Sequence, residues 1–335
     1  WNGPVCYDRT ALRVGEHNSM DSIEKAMLGR SPSPVMQPPV APLEMEAPLL
    51  PAKSDVIERA AVGLTIAPPG GVVGKSVAAV KRTQRSVMLD FQRIQATGLL
   101  VPDTRRSRIK EEYRYVKRPL LMNVDGKGAA TTEHANLIVV TSTRPGEGKT
   151  FTACNLALSI ATERNRTVLL VDADVLKPAV AKTLGFKAEL GLVDFLIDDQ
   201  MDLADVLVDT NVPSLTVLPA GSQHHLSTEL LAGENMRRLA MEMSGRYPDR
   251  VVIFDSPPLL ATTEASVLAR LMGQVVMVVE AGRTQQSQVK AALALLDPNQ
   301  SVGFVLNKTR GFLGQEYYGY GYGGGDDSSG SKVSA

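Results

Sequence analysis

The stretch Leu137-Ile138-Val139-Val140-Thr141-Ser142-Thr143-Arg144-Pro145-Gly146-Glu147-Gly148-Lys149-Thr150 decides how this chain is read. Its first half is an unbroken aliphatic run, the mark of a strand buried on both faces. A glycine-bearing turn follows, and then a helical pattern over residues 150–163. Strand, glycine loop and helix in that order make a phosphate-binding loop. Gly146 and Gly148 let backbone N–H groups converge on an anion at the helix N-terminus. Lys149 stands where an ammonium reaches the β/γ-phosphates, and the Thr150 hydroxyl where it can ligate Mg²⁺. Pro145, Glu147 and Phe151 complete the expected nucleotide-binding set. The strict pattern G-x-x-x-x-G-K-[ST] has Gly at its first position, where this chain has Thr143. The alternative is an ordinary glycine turn before a helix.

Working outward, similar apolar runs recur. Residues 167–171, 214–218, 251–254, 274–279 and 302–306 read as strands, and residues 229–244, 264–272 and 287–296 as helices. Runs of Val, Ile and Leu without polar alternation predict a parallel sheet covered on both sides. The fold class is therefore α/β: a P-loop NTPase with a mostly parallel sheet flanked by helices, preceded by a helical and disordered N-terminal region. Open sheets of this kind bind ligands beyond the carboxyl ends of their strands. Two such ends carry acids, Asp172 and Asp174 in one case and Asp255 in the other. A lone aspartate there is usually a helix cap, but three beside a phosphate loop fit Mg²⁺ binding and activation of a nucleophile. Asp255 suits holding the metal or its waters. Asp172 and Asp174 share metal contact and polarisation of an acceptor hydroxyl, in a division the residues leave open. Asn307 and Lys308 end the last strand, either touching the base or forming a simple turn. ATP and Mg²⁺ are the expected ligands.

Thirty-six basic and 36 acidic residues cancel, so bulk charge points to neither nucleic acid nor membrane. No uncharged apolar run approaches the ~18–20 residues of a transmembrane helix. Two cysteines, Cys6 and Cys154, make no disulfide framework and fit a reducing cytosol. Four regions are expected. Residues 1–75 are a mostly disordered leader and Pro-rich linker, with nine of the 20 prolines in residues 31–70. Within them, residues 1–19 show no period and should lie outside the fold, and residues 20–28 read as a short amphipathic helix. Residues 76–135 form a basic helical segment for oligomerisation or docking. It has one helix over 76–98 ended by Gly98 and another over 108–118 stopped by Pro119. Residues 136–310 are the P-loop domain, and 311–335 a flexible Gly/Tyr-rich tail.

Together these motifs resemble the bacterial tyrosine kinases of exopolysaccharide and capsule systems, over about two thirds of the chain. Pro145-Gly146-Glu147-Gly148-Lys149-Thr150 looks like that family's Walker A motif, Val171-Asp172-Ala173-Asp174 like Walker A′, and Ile253-Phe254-Asp255-Ser256-Pro257-Pro258 like Walker B. The family often lacks the first glycine, so Thr143 is compatible with it. Residues 111–121 resemble the exosortase-associated tyrosine autokinases. The resemblance implies an ATP-dependent tyrosine autokinase with Lys149, Asp172 and Asp174 as catalytic residues and Thr150, Asp172 and Asp255 about the metal. It would phosphorylate its C-terminal cluster, Tyr317, Tyr318, Tyr320 and Tyr322, in trans. It further implies a ring-like homo-oligomer, a separate membrane chain-length-determinant (Wzz-like) activator, a cognate tyrosine phosphatase and no specific nucleic acid. The enzyme would be cytoplasmic, peripherally associated with the inner membrane through its partner, and would regulate exopolysaccharide polymerisation and export. The family's Glu-x-x-Arg-x-x-Arg oligomerisation motif appears as Glu111, Arg114 and Lys117, a spacing that predicts one broad helix face. Where family members often carry Arg in the A′ loop, this chain has Leu176, with Lys177 next. The alternative is a partition- or septum-placing P-loop ATPase acting as a dimerisation switch. Arg144 at the signature-lysine position and the Gly/Tyr tail count against it.

Overall fold

A computed structural model describes residues 5–7, 85–103, 105–128, 132–246 and 249–309. Its strands are β1 (Val5–Tyr7), β2 (Arg85–Val87), β3 (Leu137–Ser142), β4 (Thr167–Asp172), β5 (Val208–Thr210), β6 (Leu215–Leu218), β7 (Arg250–Asp255), β8 (Gln274–Glu280) and β9 (Ser301–Asn307). They form one sheet in the order β1-β9-β8-β3-β7-β4-β6-β5-β2. The six strands from β9 to β6 run parallel, with β3 between β7 and β8. β1 pairs antiparallel with β9 at one edge, and β5 pairs antiparallel with β6 near the other.

Both faces are buried, which is why the central strands lack polar alternation. On one face Ile138, Val140, Val168, Leu170, Ile253 and Val276 share a hydrophobic cluster with helix α3 (Lys149–Ile160). The intervening residues, among them Val139, Leu169, Val252 and Phe254, are equally buried on the other. Helices α1 (Phe91–Ala96) and α2 (Arg108–Val124) join the α3 side through Ile94, Tyr113, Val116 and Leu120. The remaining helices are α4 (Val180–Leu184), α5 (Leu192–Ile197), α6 (Leu203–Val206), α7 (Ser227–Leu231), α8 (Glu234–Arg246), α9 (Thr263–Arg270) and α10 (Gln286–Ala294).

All six parallel strands lie where the apolar runs predict them, whereas the edges do not. Val5–Tyr7 adds a strand to β9, so part of the first 19 residues belongs to the sheet. Three residues are too short for a period to register. Within the 76–98 helix expectation, Arg85–Val87 is a strand and the helix is confined to Phe91–Ala96. Asp90 starts that helix by accepting from the N–H groups of Gln92 and Arg93. Gly98 does follow its end, at φ +83°. The described part of residues 76–135 is thus built into the P-loop domain's sheet and core.

Helix α2 runs through Pro119 to Val124. The carbonyl deprived of its partner by Pro119 is that of exposed Tyr115, where water can serve it. Beyond the proline, Gln274 of β8 fastens the helix. Its Nε2 donates to Leu120 O (3.1 Å) and its Oε1 accepts from Asn123 Nδ2 (2.7 Å). The single helix expected over 229–244 is two, α7 and α8, separated at Ala232 and Gly233. The expected helix at 20–28, the linker at 31–70 and the tail at 311–335 lie outside the described residues.

Candidate active site

β3 delivers the chain to the loop, and two glycines turn it. Gly146 and Gly148 take φ of +88° and +99°, a region costly for residues with a Cβ. At Gly148 a Cβ would also collide with the Asn307 amide. Thr143 is not among the positive-φ residues, so no glycine is needed at the motif's first position. Its hydroxyl donates to Glu147 Oε1 (2.8 Å). Gly148 is the N-cap of α3, and among the described residues no side chain caps that end. The helix N-terminus, with its free N–H groups and partial positive charge, faces the loop as an anion site.

The sheet brings the three aspartates to this point. Asp172 and Asp255 are register partners at the ends of neighbouring strands β4 and β7. Lys149 Nζ lies 2.6 Å from Asp174 Oδ2, 3.8 Å from Asp255 Oδ1 and 3.3 Å from the Thr150 hydroxyl. Asp172 Oδ2 accepts from the N–H groups of Ala179 (3.0 Å) and Val180 (2.9 Å), capping α4, while its Oδ1 has no hydrogen-bond partner among the described residues. Neither oxygen of Asp255 has one there either. The Thr150 hydroxyl is near enough to favour the charged form of Asp255 without a bond of ordinary geometry.

Charge at the site is held under tension. Burial pushes the Asp172 carboxyl up to about 7, with Asp255 adding to the rise against the two N–H donors. Burial likewise lifts Asp255 to about 6, opposed by the Lys149 ammonium. For Lys149, burial works to lower the pKa, but Asp255 and Asp174 outweigh it and the net shift is upward. Orphaned buried carboxylate oxygens beside a hydroxyl and a lysine are what a Mg²⁺-bound nucleotide would satisfy. Among the described residues no three His, Cys, Asp or Glu side chains are gathered as a cation cage. That suits Mg²⁺, which keeps its waters and binds through one or two carboxylates plus substrate phosphates. Thr150 and Asp255 fit that role.

Asn307 and Lys308 come to the loop from the end of β9. Asn307 Nδ2 donates to Glu147 O (2.8 Å), so the side chain braces the phosphate loop. Lys308 Nζ donates to Gly146 O (2.7 Å). Phe151 is half-buried against the core cluster, and Pro145 is exposed at the loop's tip. In the A′ loop Leu176 is 50% exposed, and the Lys177 side chain is exposed too while its N–H turns back to Asp174 O.

The expected oligomerisation face is divided. Glu111 and Arg114 pair with each other at 2.9 Å on the outer side of α2. Lys117 points inward, with Nζ donating to Ser159 O (2.6 Å) and pairing with Glu163 Oε1 (2.7 Å). Three-residue steps fall short of a full turn, so by the third position the face has rotated onto α3. Sequence reading put Glu147 in the nucleotide-binding set, whereas its buried carboxylate turns to the Thr143 and Arg144 N–H groups and to the Thr284 hydroxyl; nothing in the sequence marked Thr284. The tyrosines of the tail lie outside the described residues.

A glycine loop between a buried strand and a helix, with aspartates ending the neighbouring strands β4 and β7, defines a P-loop NTPase. Residues 135–290 match a protein family described as AAA domain. Tyrosine-protein kinase YwqD of Bacillus subtilis is 31% identical over 213 residues, covering 63% of this chain and 86% of YwqD. The succinoglycan biosynthesis transport protein ExoP of Rhizobium meliloti is 32% identical over 259 residues, 73% of this chain and 31% of ExoP. The solved kinase domain of Escherichia coli tyrosine kinase ETK shares the fold, with a TM-score of 0.54 at 24% identity over 69% of this chain and 98% of that one. The chain belongs to the bacterial tyrosine-protein kinases and is an enzyme of that class. Among the described residues no helix is long and apolar enough to cross a membrane.

Proposed function

We propose that this kinase uses ATP to phosphorylate the tyrosine cluster 317–322 of a neighbouring copy. The observation that carries the reading is the meeting of Lys149, Asp172, Asp174 and Asp255 around the uncapped start of α3. Bound Mg²⁺ would neutralise charge on the β- and γ-phosphates, with Thr150 and Asp255 to hold it. Lys149, paired with Asp174 at 2.6 Å, would turn to the transferring phosphoryl group. Asp172 is oriented by two N–H donors and keeps one oxygen free, so it takes the proton of the incoming tyrosine hydroxyl. Its raised pKa suits a base working near neutral pH. The phenolate oxygen bonds to the γ-phosphorus as the bond to the ADP oxygen breaks. Phosphotyrosine and ADP result, and the proton leaves through Asp172 to solvent.

The tail's sequence supports this role, since Tyr318, Tyr320 and Tyr322 each adjoin a glycine and the stretch carries no apolar period. Each phosphate adds about −1.5 to −2 charges, so a heavily modified tail repels itself and loosens the assembly of copies. Glu111 and Arg114 would serve that homo-oligomeric contact. A membrane-bound chain-length determinant would activate the enzyme at the inner membrane, and a tyrosine phosphatase would reset it. The output would be control of exopolysaccharide polymerisation and export, in keeping with the biosynthetic name of ExoP. A partition-type ATPase has less support, since the relatives are named tyrosine kinases.

The test is peptide mass spectrometry after incubation with Mg·ATP. A chain carrying Lys149→Met serves as acceptor, and a chain with all four tail tyrosines changed to Phe as donor. Phosphate on the acceptor's 317–322 peptide is expected. An unmodified acceptor beside a self-modifying wild type would exclude transfer in trans, and ATP hydrolysis with no tail modification under any condition would exclude the autokinase reading.

A further inference from the structure

One acid of the phosphate loop takes no part in this chemistry. Glu147 is 1% exposed, a place carboxylates seldom occupy unless fully partnered. Its Oε2 accepts from the N–H groups of Thr143 (2.7 Å) and Arg144 (2.9 Å). Its Oε1 accepts from the Thr143 and Thr284 hydroxyls. Thr284 lies in the turn between β8 and α10, and its oxygen also accepts from Glu280 N–H (2.9 Å). That second bond fixes the direction of the hydroxyl. Lys308 adds a parallel tie, joining Gly146 O at 2.7 Å to Glu280 Oε2 at 3.2 Å. Two N–H groups at the beginning of the loop are thereby consumed, while among the described residues no side chain caps the start of α3.

We propose that Glu147 and Thr284 are positioning residues, a latch that ties the phosphate loop to the β8–α10 turn and holds it in its nucleotide-accepting shape before the nucleotide arrives. The proposal rests on nucleotide binding at this loop. A loop ordered beforehand loses less freedom on binding, so the latch contributes affinity and not turnover. It also gives Thr143 a purpose: its hydroxyl completes the set of donors around the buried charge, which a glycine could not do.

The test measures ATP affinity of the full chain by calorimetry, with kcat and KM for tail phosphorylation, in five proteins: wild type, Glu147→Ala, Glu147→Gln, Thr284→Val and the double variant Glu147→Ala/Thr284→Val. Glu147→Ala strands the buried Thr143 N–H and the part-buried Arg144 N–H and should weaken ATP binding about 10- to 100-fold, and Thr284→Val about threefold or more. Glu147→Gln should recover part of the loss, because its carbonyl oxygen still accepts from both N–H groups. The double variant should bind no worse than Glu147→Ala alone, since the two residues act through one bond. At saturating ATP, kcat should stay within about threefold of wild type, the pattern of lost uniform binding. Wild-type affinity in Glu147→Ala, multiplying losses in the double variant, or a loss confined to kcat would each overturn the latch. Should Glu147→Ala fail to fold, wild-type affinity in Thr284→Val, at an unchanged ligand-free melting temperature, overturns it equally. A wild-type chain that binds no ATP would instead defeat the nucleotide reading beneath it.

Discussion

The two ends of helix α3 are finished in opposite ways. At the N-terminus no described side chain caps the helix, and the carboxylates in front of it keep oxygens without partners. At the C-terminus a buried lysine from another helix closes the last turn, with Lys117 donating to Ser159 O and pairing with Glu163. A cation at a helix C-terminus also complements the helix dipole. One end is left unsatisfied so that a ligand can satisfy it. The other is completed by the protein and anchors α2 through Lys117. Incomplete satisfaction, more than charge as such, separates the functional end from the structural one.

The contrast is most exposed to failure at Lys149. Lys149→Met should lower tail phosphorylation by about 10²–10³-fold or more, as loss of a preorganised transition-state contact does, while the chain still folds with a lower ligand-free melting temperature at neutral pH, because Asp174 and Asp255 lose the ammonium they hold. A variant that instead unfolds would mean the open end is structural after all. At the closed end only stability is at stake. Lys117→Met should cost about 2 kcal/mol of stability in denaturant unfolding, because Ser159 O loses its charged donor, keeping the Thr162 hydroxyl at 2.7 Å, and Glu163 loses its buried ion-pair partner but keeps water. Activity per folded molecule should survive. Unchanged stability with a smaller assembly would return Lys117 to the oligomer surface.

A smaller effect concerns pH. Asp172 and Asp255 both have folded-state pKa values above the ordinary 3.8, at about 7 and about 6. Protonation therefore favours the folded chain. The stability they lend is complete below about pH 4 and is lost as pH rises through about 6 to 7. The ligand-free protein should accordingly melt lower at pH 8 than at pH 5. Asp255→Asn should flatten that slope and gain on the order of 1–2 kcal/mol at pH 8, while phosphotransfer falls. A steeper slope in the variant would contradict the reading of Asp255 as a strained, ligand-seeking charge. Smallest of all, Pro119→Ala should stabilise α2 by about 1 kcal/mol, since alanine restores a helix donor. No gain would mean that the Gln274 clamp already absorbs the cost.

The same division explains what could be read from the chain beforehand. The loop, the six parallel strands and the aspartates ending two of them are encoded by neighbours in sequence: a glycine turn, aliphatic runs, an aspartate after two of the runs. Lys117, Pro119 and Val5–Tyr7 are decided by partners far away. Spacing put Lys117 with Glu111 and Arg114, but its destination depends on where α3 ends, 42 residues on. Pro119 would stop a free helix and does not stop one pinned by Gln274. Glu147 reads as one more nucleotide-binding residue of the loop because Thr284, which its carboxylate meets instead, lies 137 residues later. Strands of three residues such as β1, β2 and β5 are held by a neighbouring strand's hydrogen bonds and carry no periodic signal of their own.

The most direct test compares Asp172→Asn with wild type and Asp174→Asn, reading ATP affinity by calorimetry and phosphate on residues 317–322 by mass spectrometry. Asparagine can still accept from the N–H groups of Ala179 and Val180, so α4 keeps its cap and only the proton acceptor is removed. The account predicts ATP binding within a few-fold of wild type and tail phosphorylation slowed by about 10²-fold or more in Asp172→Asn, with the milder defect in Asp174→Asn. Wild-type rates of transfer from Asp172→Asn would contradict it.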